Sequence, residues 1–143
     1  MGLSIRGNYK GSIELDGGYG MLETIRNQVA KEWDKEFGEH YATLRYCNTE
    51  NDFAMFTIKA NKIINSGRLR EKTKQDADIL DFLFASDYGD TISYKTCKKI
   101  YELIKDTKCN YCLRYAAYSN NDWEDFKQLL RECYSHRSKL VWY

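Results

Sequence analysis

The sequence predicts an α+β fold in which helices predominate, formed as a single domain over residues 1–143. Apolar residues recur every three or four positions in four segments, which is the spacing of amphipathic helices. Apolar and polar residues alternate only near the two ends, which predicts a small antiparallel sheet from an N-terminal hairpin and a C-terminal strand. A chain that is 43% hydrophobic and 15% aromatic can bury one core.

The predicted sheet begins with a hairpin at the N-terminus. Leu3 and Ile5 on one side, and Ile13 and Leu15 on the other, alternate with polar residues around a glycine-bounded turn over residues 7–11. Residues 139–143 form the closing strand, and we expect this strand to pair with the hairpin.

The predicted helices follow from apolar stripes and their capping residues. The first spans residues 21–37 and ends at Gly38, because glycine is common just after the end of a helix. The other stripes predict a short helix over 39–47, helices over 53–64 and 79–84, a helix capped by Ser93 that runs to Ile104, and a last helix capped by Asp122. Residues 68–74 are a basic connector or first helical turn, and residues 86–90 are a turn.

Charge and composition exclude several classes of protein. There are 22 Lys and Arg residues against 21 Asp and Glu, a net charge of +1, so bulk nucleic-acid binding is not expected. No apolar run reaches the ~20 residues that a membrane helix needs. The N-terminus has no apolar signal region, which predicts a cytoplasmic protein whose five cysteines are reduced. The absence of proline suggests a low-GC bacterium or its phage.

A glycine-rich junction is the first candidate binding site. Gly17, Gly18 and Gly20 directly precede the first predicted helix, where glycine permits positive φ and the first N–H groups of the helix attract anions. Arg6 and Lys10 would supply countercharge, and Tyr9 and Tyr19 would stack on a base. The pattern matches neither the P-loop nor the dinucleotide-binding motif, so a plain strand-to-helix turn is the alternative.

Metal binding and catalysis have weaker signals. Cys109, Cys112, Cys133 and His136 have zinc-ligand spacing, but Cys112 and Cys133 also fall where an apolar stripe takes a small core residue. We therefore predict no metal and no cofactor, with zinc as the open alternative. His40 and His136 are expected on the surface, and no nucleophile motif accompanies either. An enzyme is accordingly the less favoured class.

The second half of the chain resembles a group of short uncharacterised bacterial proteins in which Ser-Asp-Cys-Asp-Gly precedes a helix that carries a cysteine. The matching residues are Phe84, Ser86, Asp87, Gly89, Ile92, Ser93, Cys97, Trp123, Phe126, Leu130, Leu140, Val141 and Trp142. In this chain the second Asp and the Gly are transposed as Gly89 and Asp90. The resemblance implies no activity.

Two functions fit these observations. The first is a non-catalytic protein, with a phage as its expected source, that sequesters an anionic nucleotide-like signal molecule. The second is a protein-interaction module or an inhibitor of a host or defence protein. The 12 tyrosines exceed what a core of this size needs, which predicts a recognition surface or a homo-oligomer.

Overall fold

The computed structural model of the chain describes residues 3–87, 89–108 and 120–143. The described part is helix-dominant with one small antiparallel sheet, so the predicted α+β class is confirmed. Its strands are β1 (Leu3–Gly7), β2 (Glu14–Gly17), β3 (Asp90–Ile92) and β4 (Leu140–Trp142). Its α-helices are α1 (Tyr19–Trp33), α2 (Lys35–Tyr41), α3 (Glu50–Ile64), α4 (Arg70–Gln75), α5 (Ala77–Phe84), α6 (Tyr94–Ile104) and α7 (Asn120–Ser135). A 3-10 helix, Ala42–Tyr46, follows α2 directly.

The sheet joins the two ends of the chain. Its strand order is β2-β1-β4-β3, and every pair is antiparallel. Ile5 lies opposite Leu15 on one side and opposite Trp142 on the other, and all three side chains are buried. The predicted pairing of the C-terminal strand with the hairpin is therefore confirmed.

The strand β3 was not predicted, because residues 86–90 were expected to form only a turn. Its three residues pair with β4, with Thr91 opposite Val141 and Ile92 opposite Leu140. A three-residue strand is too short to show an alternating pattern, and its partner strand lies about fifty positions away in the chain.

The first predicted helix is divided in two, so its predicted end at Gly38 is wrong. The helix α1 ends at Trp33, and Asp34 has extended backbone angles. The side chain of Asp34 then caps α2 by accepting a hydrogen bond from the Phe37 backbone N–H at 2.9 Å. The apolar stripe continues across this break because Trp33 and Phe37 are both buried.

Two smaller predictions are also corrected. The helix α7 begins at Asn120, so Asp122 lies in its first turn instead of capping it. His40 is buried and not on the surface, since only 8% of it is exposed. Its Nε2 lies 2.9 Å from the Phe56 carbonyl oxygen, and its ring stacks on that of Phe56 with centroids 4.5 Å apart. Among the described residues, no helix is both long and apolar enough to cross a membrane.

Candidate functional site

The glycine-rich junction lies between β2 and α1, but the hairpin separates it from two of its predicted partners. Gly17 is paired with Leu3, whereas Arg6 is paired with Glu14. Tyr9 and Lys10 lie in the turn beyond Gly7, at the opposite end of a strand that spans about 13 Å at ~3.3 Å per residue. The structure thus places Gly17, Gly18 and Gly20 together and Tyr9 and Lys10 away from them, while Arg6 lies three residues along β1 from the residue that pairs with Gly17.

The glycines of this junction do not use the conformations that only glycine permits. Gly18 has extended backbone angles, with φ −90° and ψ 178°. Among the described residues, the glycines with positive φ are Gly11 and Gly89. The side chain of Tyr19 lies outside the described part of the structure. Anion binding at this junction therefore stays a prediction.

Tyr9 is engaged within the fold. Its hydroxyl donates a 2.9 Å hydrogen bond to Glu132 Oε2, and its ring stacks on His136 with centroids 4.1 Å apart. Partial burial and the bond to the Glu132 carboxylate raise the pKa of Tyr9 from 10.0 to about 12. His136 covers one face of the Tyr9 ring, so a base could stack on Tyr9 only at the opposite face or after displacement of His136.

The zinc alternative stays a prediction. Cys109 and Cys112 lie outside the described residues. Cys133 is fully buried, and its thiol contacts that of Cys97, while His136 is exposed and stacks on Tyr9. Within the described ranges, no group of three or more His, Cys, Asp or Glu side chains is arranged to hold a metal ion.

A cleft elsewhere in the molecule has a clearer chemistry. Its volume is about 310 Å³, at the lower end of the range of ligand sites. It opens between α1, α2, the 3-10 helix and α3, and we call it the Arg26 cleft. Its lining residues are Glu23, Arg26, Asn27, Tyr41, Leu44, Arg45, Phe53 and Asp87.

Arg26 is the most constrained charged residue of the cleft. It is only 5% exposed, and its Nη1 forms an ion pair with Asp87. Its Nη2 donates a 3.0 Å hydrogen bond to the Ala85 carbonyl oxygen. The guanidinium also lies 5.5 Å from the ring centre of Phe82 and 5.6 Å from that of Trp142, which is within range of cation–π attraction. Its position is therefore held from three sides.

Two buried polar atoms of the cleft have no hydrogen-bond partner. They are Arg26 Nε, a donor, and Glu23 Oε1, an acceptor. Arg45 Nε approaches Glu23 Oε1 at 3.4 Å, which is an ion-pair distance outside hydrogen-bond geometry. A buried polar atom without a hydrogen bond is unfavourable by ~1–3 kcal/mol, so each of these atoms would gain from a further partner, although the Glu23 side chain as a whole is 42% exposed.

The walls of the cleft include two aromatic residues. Tyr41 is buried, and its hydroxyl donates to the Leu83 carbonyl oxygen, so the residue offers the cleft an uncharged surface. Burial raises the pKa of Tyr41 well above its ordinary value. Phe53 is 47% exposed, which leaves much of its ring available for a planar ligand.

No known protein family, curated protein or solved structure matches this chain. The two arginines and two carboxylates of the Arg26 cleft balance in charge, and the Arg26 and Asp87 charges satisfy each other. This balance favours a polar, largely neutral group inside the cleft, with any anionic group of the ligand at its edge, near the half-exposed Arg45.

This cleft was not among the sites predicted from the sequence. Its residues come from five separate segments between positions 23 and 87, and no motif connects them. One local signal was available. Glu23 and Arg26 are three positions apart within an apolar helix stripe, so both lie on one face of α1.

A second surface feature lies on α3. This helix is buried only through Phe56, Ala60 and Ile63, which occupy one narrow stripe. On the opposite side, Met55 is 60% exposed and Ile58 is 63% exposed. We call the surface formed by Ala54, Met55 and Ile58 the α3 outer face.

Proposed function

We propose that this chain is a non-catalytic binding protein that holds a nucleotide-like ligand in the Arg26 cleft. The observation that carries the proposal is that two residues lining one cavity, Arg26 and Glu23, each have a buried atom without a hydrogen bond, Nε and Oε1. A heterocyclic base has donors and acceptors along one edge, so it satisfies both atoms at once. As the composition suggests, we also propose that the protein is cytoplasmic and that a phage encodes it.

The rest of the cleft suits the other parts of such a ligand. Phe53 presents an exposed ring on which a base can stack. A base that hydrogen-bonds to Glu23 would compete with Arg45 for that carboxylate. The Arg45 side chain, which is half exposed, would then be available to bind a phosphate group at the mouth of the cleft.

Calorimetric titration with the nucleoside monophosphates tests the proposal. Stacking on an aromatic ring contributes ~1–3 kcal/mol per base, so Phe53→Ala should weaken binding about 5-fold to 150-fold. Tyr143→Ala is the control, because Tyr143 is an exposed aromatic residue that lies outside both the cleft and the α3 outer face. The absence of binding by every nucleotide, or equal affinities for the wild type and Phe53→Ala, would overturn the proposal.

A second function, interaction with protein, is favoured by the α3 outer face. We infer that a second copy of the chain covers it. In a two-fold antiparallel pairing of α3 with its copy, the acidic first turn with Glu50 and Asp52 faces the basic last turn with Lys62. The net charge of +1 offers little long-range repulsion between copies.

Light scattering measures this association directly. We expect the wild type to be a dimer at micromolar concentration and Ile58→Lys to be a monomer, because the new charge lies in the apolar centre of the contact. Ser135→Lys adds the same charge to an exposed position of α7 and should remain a dimer. A wild-type monomer at all concentrations, or a dimeric Ile58→Lys variant, would exclude this contact.

A further inference from the structure

We infer that the Arg26 cleft selects guanine among the nucleobases, an inference that rests on the proposed function. The two groups that would read the base come from one turn of α1, since Glu23 and Arg26 are three positions apart. Both line the cleft, and each contributes a buried atom without a hydrogen-bond partner.

Arg26 can contribute only one free donor. Its Nη1 is engaged by Asp87 and its Nη2 by the Ala85 carbonyl oxygen, and only Nε–H has no partner. Because the guanidinium is held by these two bonds and by the rings of Phe82 and Trp142, its Nε–H is fixed in direction. A rigid single donor is suited to a single acceptor, such as a ring carbonyl oxygen.

Glu23 contributes acceptors only. An ionised carboxylate has two oxygens and accepts most strongly from two parallel N–H groups. Arg45 Nε is already nearby, but at 3.4 Å it leaves the buried Oε1 without a hydrogen bond. Two adjacent N–H groups on the ligand would satisfy this carboxylate better than Arg45 does.

Together the two residues present one donor and two acceptors, so the complementary edge has one acceptor and two donors. Guanine carries this set as O6, N1–H and N2–H₂. Adenine and cytosine have a ring-nitrogen acceptor at the position where guanine has its N1–H donor. This acceptor would face the Glu23 carboxylate, which also only accepts. Uracil has an N–H group between two carbonyl oxygens, and the second oxygen would also face the carboxylate.

The wild-type protein alone provides the first test, by calorimetric comparison of GMP with IMP and AMP. IMP differs from GMP only by the missing 2-amino donor. A hydrogen bond to a charged group corresponds to a factor of about 10 to 100 in affinity, so GMP should bind tighter than IMP by that factor. AMP should bind more weakly than GMP by at least as much.

Glu23→Gln provides the second test, because it replaces one acceptor by a donor without a change of size. GMP affinity should fall about 10-fold to 100-fold, while AMP affinity should not fall. Glu39→Gln is the control, since Glu39 is exposed, carries the same charge and does not line the cleft. Circular dichroism would verify that each variant is folded.

The outcomes separate this inference from the proposed function. If GMP, IMP and AMP bind equally, and Phe53→Ala weakens all three, the cleft binds nucleotides without guanine selection and the inference is overturned. If GMP binding survives Glu23→Gln undiminished, Glu23 does not read the base. If none of the nucleotides binds, both the proposed function and the inference are overturned.

Discussion

The ring of Tyr9 stacks on that of His136 with an interplanar angle of 14° and centroids 4.1 Å apart. This contact joins the turn of the N-terminal hairpin to the segment that follows α7. The Tyr9 hydroxyl strengthens the connection by its hydrogen bond to Glu132 within that helix. The same bond lowers the pKa of Glu132, after the larger effect of the hydrogen bond from Gln128. The structure thus gives Tyr9 a role in packing.

We predict that Tyr9→Phe destabilises the protein by about 1 kcal/mol, because it removes one hydrogen bond and keeps the ring. Tyr143→Phe is a matched control, since Tyr143 also donates a phenol hydrogen bond to a glutamate, Glu14, at an exposed site. Its effect should stay within ~0.5 kcal/mol. Urea unfolding measures both values. Equal effects of the two substitutions would show that the hydrogen bond from Tyr9 to Glu132 stabilises the fold no more than an exposed one does.

The ion pair between Arg26 and Asp87 yields a second prediction. Arg26 is buried, whereas the Asp87 side chain is 53% exposed, so loss of Asp87 leaves a buried cation without its countercharge. We expect Asp87→Asn to lower the free energy of unfolding by about 1–3 kcal/mol, less than for a fully buried pair because water reaches the site.

Asp81→Asn serves as the control for this pair. Asp81 is an exposed residue of α5 and should change stability by no more than ~0.5 kcal/mol. Thermal unfolding followed by circular dichroism compares the two variants at the same pH and salt. If Asp87→Asn were as stable as Asp81→Asn, the Arg26 side chain would be held by its other contacts alone.

The sequence predicted those elements whose signal is local. The hairpin, the closing strand and the helices around Met21, Phe56, Ile79 and Phe126 follow from apolar spacing, and the structure contains all of them. The break at Asp34 does not interrupt that spacing, so periodicity alone extends the first helix too far. Its one sequence signal was Asp34 itself, a residue type that favours the N-cap position.

The candidate site could not be predicted in the same way. The Arg26 cleft forms because Asp87, which follows α5, and Phe53, which belongs to α3, line the same cavity as residues of α1. Neither position produces a pattern in the sequence, because both depend on how the helices pack against each other. The glycine-rich junction was noticed because its residues are contiguous, yet β1 places Tyr9 and Lys10 away from it.

Asp34 makes the stability dependent on pH. Its carboxylate is bound by two nitrogens of Arg68, and this hydrogen bonding is the main reason why the pKa of Asp34 lies below 3.8. A depressed pKa means that the ionised form stabilises the fold. This contribution is complete above pH 3.8 and is lost as the pH falls through the lower pKa of the folded state.

Asp34→Asn isolates this contribution, because asparagine caps a helix about as well as aspartate but does not ionise. We expect the wild type to be more stable than Asp34→Asn at pH 6, and the difference to disappear as the pH falls below the range of the Asp34 titration. Urea unfolding from pH 2 to pH 6 provides the measurement. A difference that is constant over this range would show that the ion pair with Arg68 does not contribute.

Gly38 and Gly20 should respond to alanine in opposite directions. In α2, a Cβ on Gly38 would lie 2.5 Å from Lys31 Cα and 2.6 Å from Lys31 N, so the backbones of α1 and α2 approach too closely for a larger residue. Gly38→Ala should therefore be destabilising by about 1–3 kcal/mol. At Gly20, in the first turn of α1, a Cβ would meet no atom within 4 Å.

Gly20→Ala should accordingly stabilise the protein by about 0.4–1 kcal/mol, because alanine restricts the unfolded chain and fits helical backbone. Thermal unfolding of both variants tests the pair. Calorimetry on Gly20→Ala also examines the glycine-rich junction, since a ligand held by the Arg26 cleft should bind this variant with unchanged affinity. A stable Gly20→Ala protein that has lost nucleotide binding would instead place the ligand at the junction between β2 and α1.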